Sequence, residues 1–295
     1  MNKSRIPIRK AVFPVAGLGT RFLPASKAVP KEMLTIVDRP LIEHVVDEAR
    51  RAGIEHFIFV TGRNKGAIED HFDSQYELER LLEARGKVAE LEALRRELPA
   101  PGQTSFTRQQ APLGLGHAVW CARDIVGEEP FALLLPDVLH HAAKPCIGEM
   151  MEAYAAAPGN YISVAPVPND KTHQYGIVGV EDARAKVSRI TQMVEKPKPS
   201  AAPSNLHISG RYILQPAIFD ILARGERGAG GEIQITDAMA VLAQREPFFA
   251  SRFDGAIYDC GGPLGFLQAN LALALERDDL APALRPELER LLRGA

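Results

Sequence analysis

The feature that most constrains this chain is a five-residue apolar run, AVFPV at 11–15, that leads straight into a glycine loop. The run reads as a strand buried on both faces, the kind found inside a parallel sheet. The loop at 16–33 has the sequence AGLGTRFLPASKAVPKEM. Gly17 and Gly19 let its backbone turn tightly and approach a ligand closely. Arg21, Lys27 and Lys31 set three cations on the loop against one anion, Glu32. Exposed backbone N–H groups beside spaced cations suit a polyphosphate. A bare Gly-x-Gly equally suits a plain turn with surface cations. The attached Thr20-Arg21, the stiffening Pro24 and Pro30 and the Lys31-Glu32 pair favour the phosphate reading. Two better-known phosphate loops do not fit. The dinucleotide fingerprint needs a third glycine where Phe22 stands, and the P-loop needs Gly-Lys-Ser/Thr where the chain has Gly19-Thr20-Arg21.

Short apolar segments then alternate with longer helical ones. That is the pattern of an α/β fold with a mixed, mainly parallel sheet flanked by helices. Strands are expected at 57–60, 104–107, 131–135, 161–164, 177–180, 187–194 and 209–214. Helices are expected at 40–51, ended by Gly53, at 65–72, from Gly114 onward, at 216–223 and at 235–244. The stretch 76–98 reads as one long charged helix, either a projecting arm or oligomer contact, or a solvated surface helix. Residues from 263 onward are mostly helical. The simplest organisation is a catalytic domain over 1–262, with a C-terminal helical appendage, 263–295, packed on it.

The chain's 295 residues are 46% hydrophobic, enough for a sizeable core. Its net charge of −2 provides no general attraction to nucleic acid, so phosphate binding has to be local. Cys121, Cys146 and Cys260 are far apart, odd in number and without metal-ligand spacing, which reads as reduced thiols in a cytoplasmic protein. The basic N-terminus leads into a strand-like segment too short for a signal-peptide core. No apolar run approaches the ~18 residues of a membrane span.

Asp137 follows the apolar segment 131–135, at the carboxyl end of an expected buried strand, where open α/β sheets bind ligands. One carboxylate with phosphate oxygens is a usual way to hold Mg²⁺; a turn aspartate after Pro136 is the other reading. Asp259 also follows an apolar segment, 256–258, and precedes Gly261-Gly262, which makes it a second acid for the same metal. In Glu195-Lys196-Pro197 the carboxylate can accept from sugar hydroxyls and the ammonium can neutralise a phosphate. An ordinary exposed pair fits the tripeptide as well. Gly176 and Gly210 are either places where a side chain is excluded to admit a ligand, or a turn and a bulge. His117 reads as a packing or capping residue. No Gly-x-Ser-x-Gly elbow is present, and Cys121 and Cys260 have no recognisable activating partner, so no covalent enzyme intermediate is expected.

These pieces occur in a recognisable order: AGLGTR, KAVPKEM, HFD at 71–73, GLGHAV, LPDV at 135–138, VEKP, GRY, GGEIQITDA and DCG at 259–261. From about Lys10 to about Gln268 the chain resembles the bacterial UTP–glucose-1-phosphate uridylyltransferases, or UDP-glucose pyrophosphorylases, of the sugar-phosphate nucleotidyltransferase superfamily. The resemblance implies a Rossmann-like nucleotidyltransferase fold. It also implies conversion of UTP and α-D-glucose 1-phosphate to UDP-glucose and pyrophosphate, with Mg²⁺. Lys27, GLGHAV and DCG look like the uridylyl branch; the thymidylyl branch usually has glycine where Leu18 stands and lacks Lys27. By the same resemblance Ala16, Gly17, Glu32, Gln109 and Gly114 contact the uridine. Arg21 and Lys31 are the triphosphate-binding and catalytic cations, and Lys196 grips the sugar phosphate. Asp137 and Asp259 are the Mg²⁺ ligands, and Gly176, Glu195 and Gly210 the glucose contacts. Leu113 departs from the pattern, because many relatives carry lysine there. A homodimer or homotetramer is implied, with 76–98 and the C-terminal helices as candidate contacts. A related pyrophosphorylase using dTTP or another sugar phosphate is the near alternative. A non-catalytic nucleotide sensor is the distant one, and the joint presence of Arg21, Lys31, Asp137, Lys196 and Asp259 argues against it.

Overall fold

The structure, a computed structural model, describes residues 6–294. Its strands are β1 (Lys10–Pro14), β2 (Thr35–Ile36), β3 (Arg39–Pro40), β4 (His56–Thr61), β5 (Thr104–Arg108), β6 (Phe131–Leu134) and β7 (Val138–His141) in the first half. The second half adds β8 (Asn160–Pro166), β9 (Gly176–Val180), β10 (Val187–Glu195), β11 (Leu206–Leu214), β12 (Phe248–Arg252) and β13 (Ala256–Asp259). Nine of them form one sheet in the order β5-β4-β1-β6-β11-β8-β12-β10-β9. The pairs β2–β3 and β7–β13 form small ribbons outside it.

The mixed sheet expected from the sequence is present, but it is not mainly parallel: its continuous parallel part is β5-β4-β1-β6, and the apolar segments of the second half, read as parallel strands, pair mostly antiparallel. Beyond β6 the pairings are antiparallel except β8 with β12. The chain winds from β1 out to β4 and β5, then returns to lay β6 on the other side of β1. The order therefore reverses between β1 and β6, and the crevice outside their carboxyl ends is where such sheets bind ligands. The glycine loop leaves β1 there and the Asp137 turn leaves β6 there.

Side-chain alternation along β1 shows why the sheet is covered on both faces. Val12 joins the core under helices Leu115–Trp120, Ile218–Leu222 and Ile235–Leu242. Ala11, Phe13 and Val15 join the opposite core, under helices Leu41–Arg51 and Cys146–Ala156. Phe13 stacks on Phe59 with ring centroids 5.2 Å apart. A third, smaller cluster unites Ile36, Leu41, Leu139, Cys260 and Ala269. It seats helix Pro263–Glu276 against the β7–β13 ribbon. The same helix is tied down by Val37 N–H donating to Asn270 Oδ1 at 2.9 Å and by Phe266 packing edge-on to Phe22.

Two features differ from the sequence reading. The stretch 76–98 is not one helix but two, Tyr76–Ala84 and Val88–Glu97, because Gly86 turns the chain with φ +65°. Arg95 bonds back to Glu79 at 2.8 Å to close this hairpin. The segments Phe248–Arg252 and Val138–His141, for which no strand was expected, are β12 and β7.

Candidate active site

The first cavity lies where the glycine loop leaves β1. It encloses about 380 Å³ and is lined by Ala16, Gly17, Gly19, Gln109, Gly114 and Glu232, among others. Four residues assigned to the uridine are thus brought together. Gln109 is anchored by its N–H to Thr61 O at 2.8 Å, and its side-chain amide donates to Gly114 O at 3.0 Å. Gly114 has φ +106°, and a Cβ there would stand 2.8–2.9 Å from Glu232 and the Ile233 backbone. Only glycine fits such a place.

Glu32, the fifth, is not among the residues lining this cavity. It is 1% exposed, and its Oε2 accepts from Lys65 Nζ at 2.7 Å. Burial pushes its carboxyl up, against the pull of Lys65 and Lys31. Its Oε1 is buried without a hydrogen-bond partner. A buried oxygen of this kind has capacity for one further donor. Lys65 has no role in the sequence reading, and only its position in an otherwise ordinary helix start could have suggested it.

The acids and cations converge at the next step along the sheet edge. Lys31 Nζ donates to Asp137 Oδ2 at 2.6 Å, both side chains being mostly buried. Burial pushes the Asp137 carboxyl up, but Lys31 and Arg21 outweigh it and hold the group below the usual carboxylate range. The β7–β13 ribbon pairs Asp259 with Val138, and so sets the second acid beside the first. Gly261 N–H donates to Asp259 Oδ1 at 3.0 Å. A Cβ on Gly261 would stand 2.9 Å from Arg21 Nη2 and 3.0 Å from both Asp137 Oδ2 and Asp259 Oδ1. Arg21, Asp137 and Asp259 therefore face one small space that glycine keeps open. Among the described residues no cluster of three His, Cys, Asp or Glu could cage a metal. Two carboxylates that leave the remaining positions to phosphate oxygens and water fit Mg²⁺.

Beyond these acids opens a larger cleft of about 710 Å³, lined by Arg21, Gln174, Tyr175, His207, Gly210 and Asp259, among others. Gly210 bulges out of β11 with φ +82°, and a Cβ there would press on Leu135 and Val138 at 3.2 Å. Gly176 and Glu195 face each other across β9 and β10. A Cβ on Gly176 would meet Glu195 Oε2 at 3.1 Å. Lys196 is held in the left-handed region at φ +47°, its N–H donating to Tyr175 O at 3.0 Å. Its side chain is half exposed, with Nζ 3.6 Å from Glu195 Oε1. A lysine in this conformation is strained, and such strain collects at functional sites. Gly176, Glu195 and Lys196 are not among the residues lining the cleft; they adjoin it through Tyr175.

Sequence reasoning missed Arg211, fully buried, with Glu48 as its partner. The signals were present: an arginine inside an apolar strand, and a glutamate on the apolar face of helix Leu41–Arg51.

An open pocket beside a cation-and-acid cluster, at the reversal point in the parallel part of a mixed sheet, defines a nucleotide-handling α/β protein. A family model described as nucleotidyl transferase matches residues 10–276. The chain is 47% identical to the UTP–glucose-1-phosphate uridylyltransferase of Bacillus subtilis strain 168, over 97% of each chain. It superposes on a UTP-bound UGPase from Acinetobacter baumannii with a TM-score of 0.89 at 43% identity, covering 96% of this chain and 99% of that one. A UDP-glucose pyrophosphorylase complexed with UDP-glucose gives a TM-score of 0.81 at 40% identity, covering 92% and 100%. The chain belongs to the nucleotidyl transferase family, among the UTP–glucose-1-phosphate uridylyltransferases.

Proposed function

We infer that this chain transfers the uridylyl group of UTP to α-D-glucose 1-phosphate, releasing pyrophosphate and UDP-glucose. What carries the reading is near full-length identity to enzymes of that name, in a chain whose Arg21, Asp137 and Asp259 face one space.

A phosphate oxygen of glucose 1-phosphate attacks the α-phosphorus of UTP in line. The bond from that phosphorus to the pyrophosphate breaks as the new one forms. The attacking oxygen is already an anion at neutral pH, so no general base is needed. Two polyanions must meet, and the residues act by positioning them and by offsetting charge. Ala16, Gly17, Gln109 and Gly114 seat the nucleoside, and Glu32 offers its spare oxygen from behind the loop. Arg21 and Lys31 neutralise the triphosphate as pyrophosphate departs. Lys196 holds the attacking phosphate, while Glu195, Gly176 and Gly210 take the glucose. Asp137 and Asp259 would hold Mg²⁺, which would supply charge neutralisation for the phosphates.

Among the described residues no helix is long and apolar enough to cross a membrane. We place the enzyme in the cytoplasm, where its free cysteines suit a reducing compartment. We treat 1–262 as the catalytic domain and 263–295 as its helical appendage. Exposed Leu264, Leu267 and Leu271 on one helix support a homodimer or homotetramer through that appendage. The decisive experiment is a pyrophosphate-release assay across four nucleoside triphosphates and several sugar phosphates. UTP with glucose 1-phosphate should be the fastest pair. A preference for dTTP or for another sugar phosphate would overturn the assignment, as would UTP binding without turnover.

A further inference from the structure

We propose that Arg211 is a positioning residue for this reaction, clamping the Asp137 turn and Gly210 into one rigid unit. The inference rests on the reading of Asp137 as a metal-holding acid. All five guanidinium donors are used. Nε and Nη2 donate to Glu48 Oε2 at 3.0 and 2.7 Å. Nη2 also donates to Val138 O at 2.8 Å, and Nη1 to Leu135 O and Gly210 O, both at 3.1 Å.

These acceptors are what matters. Leu135 O and Val138 O bracket Pro136-Asp137, so both ends of the acid's turn are held by one planar group. Gly210 O belongs to the bulge that lines the sugar-side cleft. It also accepts from Leu135 N at 2.9 Å, which closes the circuit. Glu48 anchors the clamp from the other side. Its Oε1 accepts from Ile147 N at 3.1 Å, tying the guanidinium to the start of helix Cys146–Ala156. Arg211 is 0% exposed and lines neither cavity itself, although Leu135, Val138 and Gly210, whose carbonyls it holds, line the larger one. Its action on the chemistry therefore runs through the backbone that carries Asp137.

A buried ion pair is a poor source of stability for its own sake, because desolvation offsets the attraction. A rigid fork does something a hydrophobic replacement would not: it fixes carbonyls at defined angles. Lysine keeps the charge but presents its three donors from a single nitrogen, so it cannot span Glu48, Leu135, Gly210 and Val138 together.

The test is Arg211→Lys, with Glu48→Gln as a second variant that keeps the guanidinium but removes the charge that anchors it and so loosens its hold on the carbonyls. Each folded variant is compared with the parent by Mn²⁺ binding to the enzyme–UTP complex, followed by electron paramagnetic resonance. The same proteins are assayed for Mg²⁺ half-saturation of turnover, and for UTP binding in chelator. Partners that orient a metal ligand are worth roughly 10–100-fold in metal affinity or activity. Mn²⁺ affinity and turnover should each fall by about tenfold or more on that basis, while UTP binding in chelator stays within about twofold. A purely structural role would lower the melting temperature and leave the metal affinity of the folded protein unchanged. A folded Arg211→Lys or Glu48→Gln enzyme with parental Mn²⁺ affinity and Mg²⁺ half-saturation overturns the proposal. If the parent itself makes no UDP-glucose from UTP and glucose 1-phosphate, the functional reading has failed, and not merely the clamp.

Discussion

Three glycines at the start of the C-terminal helix separate catalytic geometry from folding, and Gly261→Ala is the informative change. Gly261 lies outside the left-handed region, so its backbone accepts alanine. The added methyl would stand 2.9 Å from Arg21 Nη2 and 3.0 Å from Asp137 Oδ2 and Asp259 Oδ1. All three are ends of side chains, which can retreat by a few tenths of an ångström without moving the backbone. Folding should therefore change little, by less than about 1 kcal/mol. The displaced groups are the ones proposed to meet metal and triphosphate. Loss of one such contact costs about 3 kcal/mol, or roughly a hundredfold in turnover. Gly262→Ala is the control in place. Its Cβ would come no closer than 4.0 Å to Arg21 Nη1, and its φ of −131° suits any residue, so turnover and stability should match the parent. Gly265→Ala is the opposite control. Its Cβ would fall 2.1 Å from Asp259 O and 2.7 Å from Asp259 C, which are backbone atoms that cannot step aside. That helix must shift, with a loss of roughly 1–3 kcal/mol in stability. Pyrophosphate release and thermal melting on the three variants check the scheme. A Gly261→Ala enzyme with parental turnover would show that the convergence of Arg21, Asp137 and Asp259 is incidental to the chemistry.

Lys196→Ala should cut turnover at least about tenfold with the melting temperature unchanged, because its side chain is half exposed and its loss opens no core; near-parental turnover removes it from the mechanism. Asp137→Asn should do the same and raise the metal requirement, measured as Mg²⁺ half-saturation. Exhaustive chelation should abolish turnover and readdition of Mg²⁺ restore it; full activity in chelator would refute the metal role. Acid stability offers a check away from the site. Burial pushes the Glu43 carboxyl up, but hydrogen bonds from His71 and Arg39 outweigh this and bring it from 4.5 down to about 2. A depressed carboxyl contributes stability above its unfolded value, lost as pH falls through the folded one. Glu43→Gln should therefore be less stable than the parent near neutral pH, and the gap should narrow as pH falls from 5 towards 2 in urea melts. An unchanged gap across that window would sink the assignment.

The parallel half of the fold was legible because its signals are local. An apolar run as short as 131–135, bounded by Pro130 and Pro136, reads as a buried strand, and a glycine loop after β1 marks that strand's carboxyl end. The single helix expected over 76–98 failed on a local signal read too lightly. Gly86 sits mid-segment, and only glycine adopts its φ of +65° without strain. β12 was hidden for a different reason. Phe248–Arg252 is short, and although Pro247 and Asp254-Gly255 bound it, its side chains do not alternate apolar with polar; it becomes a strand through its parallel register with β8.

The site shows a sharper division. Ala16, Gly17 and Gly114 lie in the landmarks AGLGTR and GLGHAV, whereas Gln109 lies in none and is named only through the resemblance; the fold brings all four to one pocket. Glu32 could not be placed, since nothing in the loop says which way its side chain turns; Lys65, thirty-three positions on, decides it. Asp137 and Asp259 could be suspected separately but not joined, because their proximity is created by the antiparallel register of β7 and β13. Arg211 and Glu48 lie 163 positions apart; Arg211 stands in the GRY landmark, but nothing in that tripeptide points to Glu48 as its partner. The residues proposed to touch substrate lie mostly in short motifs, while those proposed to aim them are distributed over the fold. The charge pattern follows the same logic. With a net charge of −2 the chain has no broad field to draw in two polyanions, so the proposed roles of Arg21, Lys31 and Lys196 are ones exerted at close range. Those cations stand against Asp137, Asp259 and Glu195, and a site so nearly balanced works by geometry. That is why a glycine without a side chain, and an arginine that touches no ligand, are the places where small changes should be felt most.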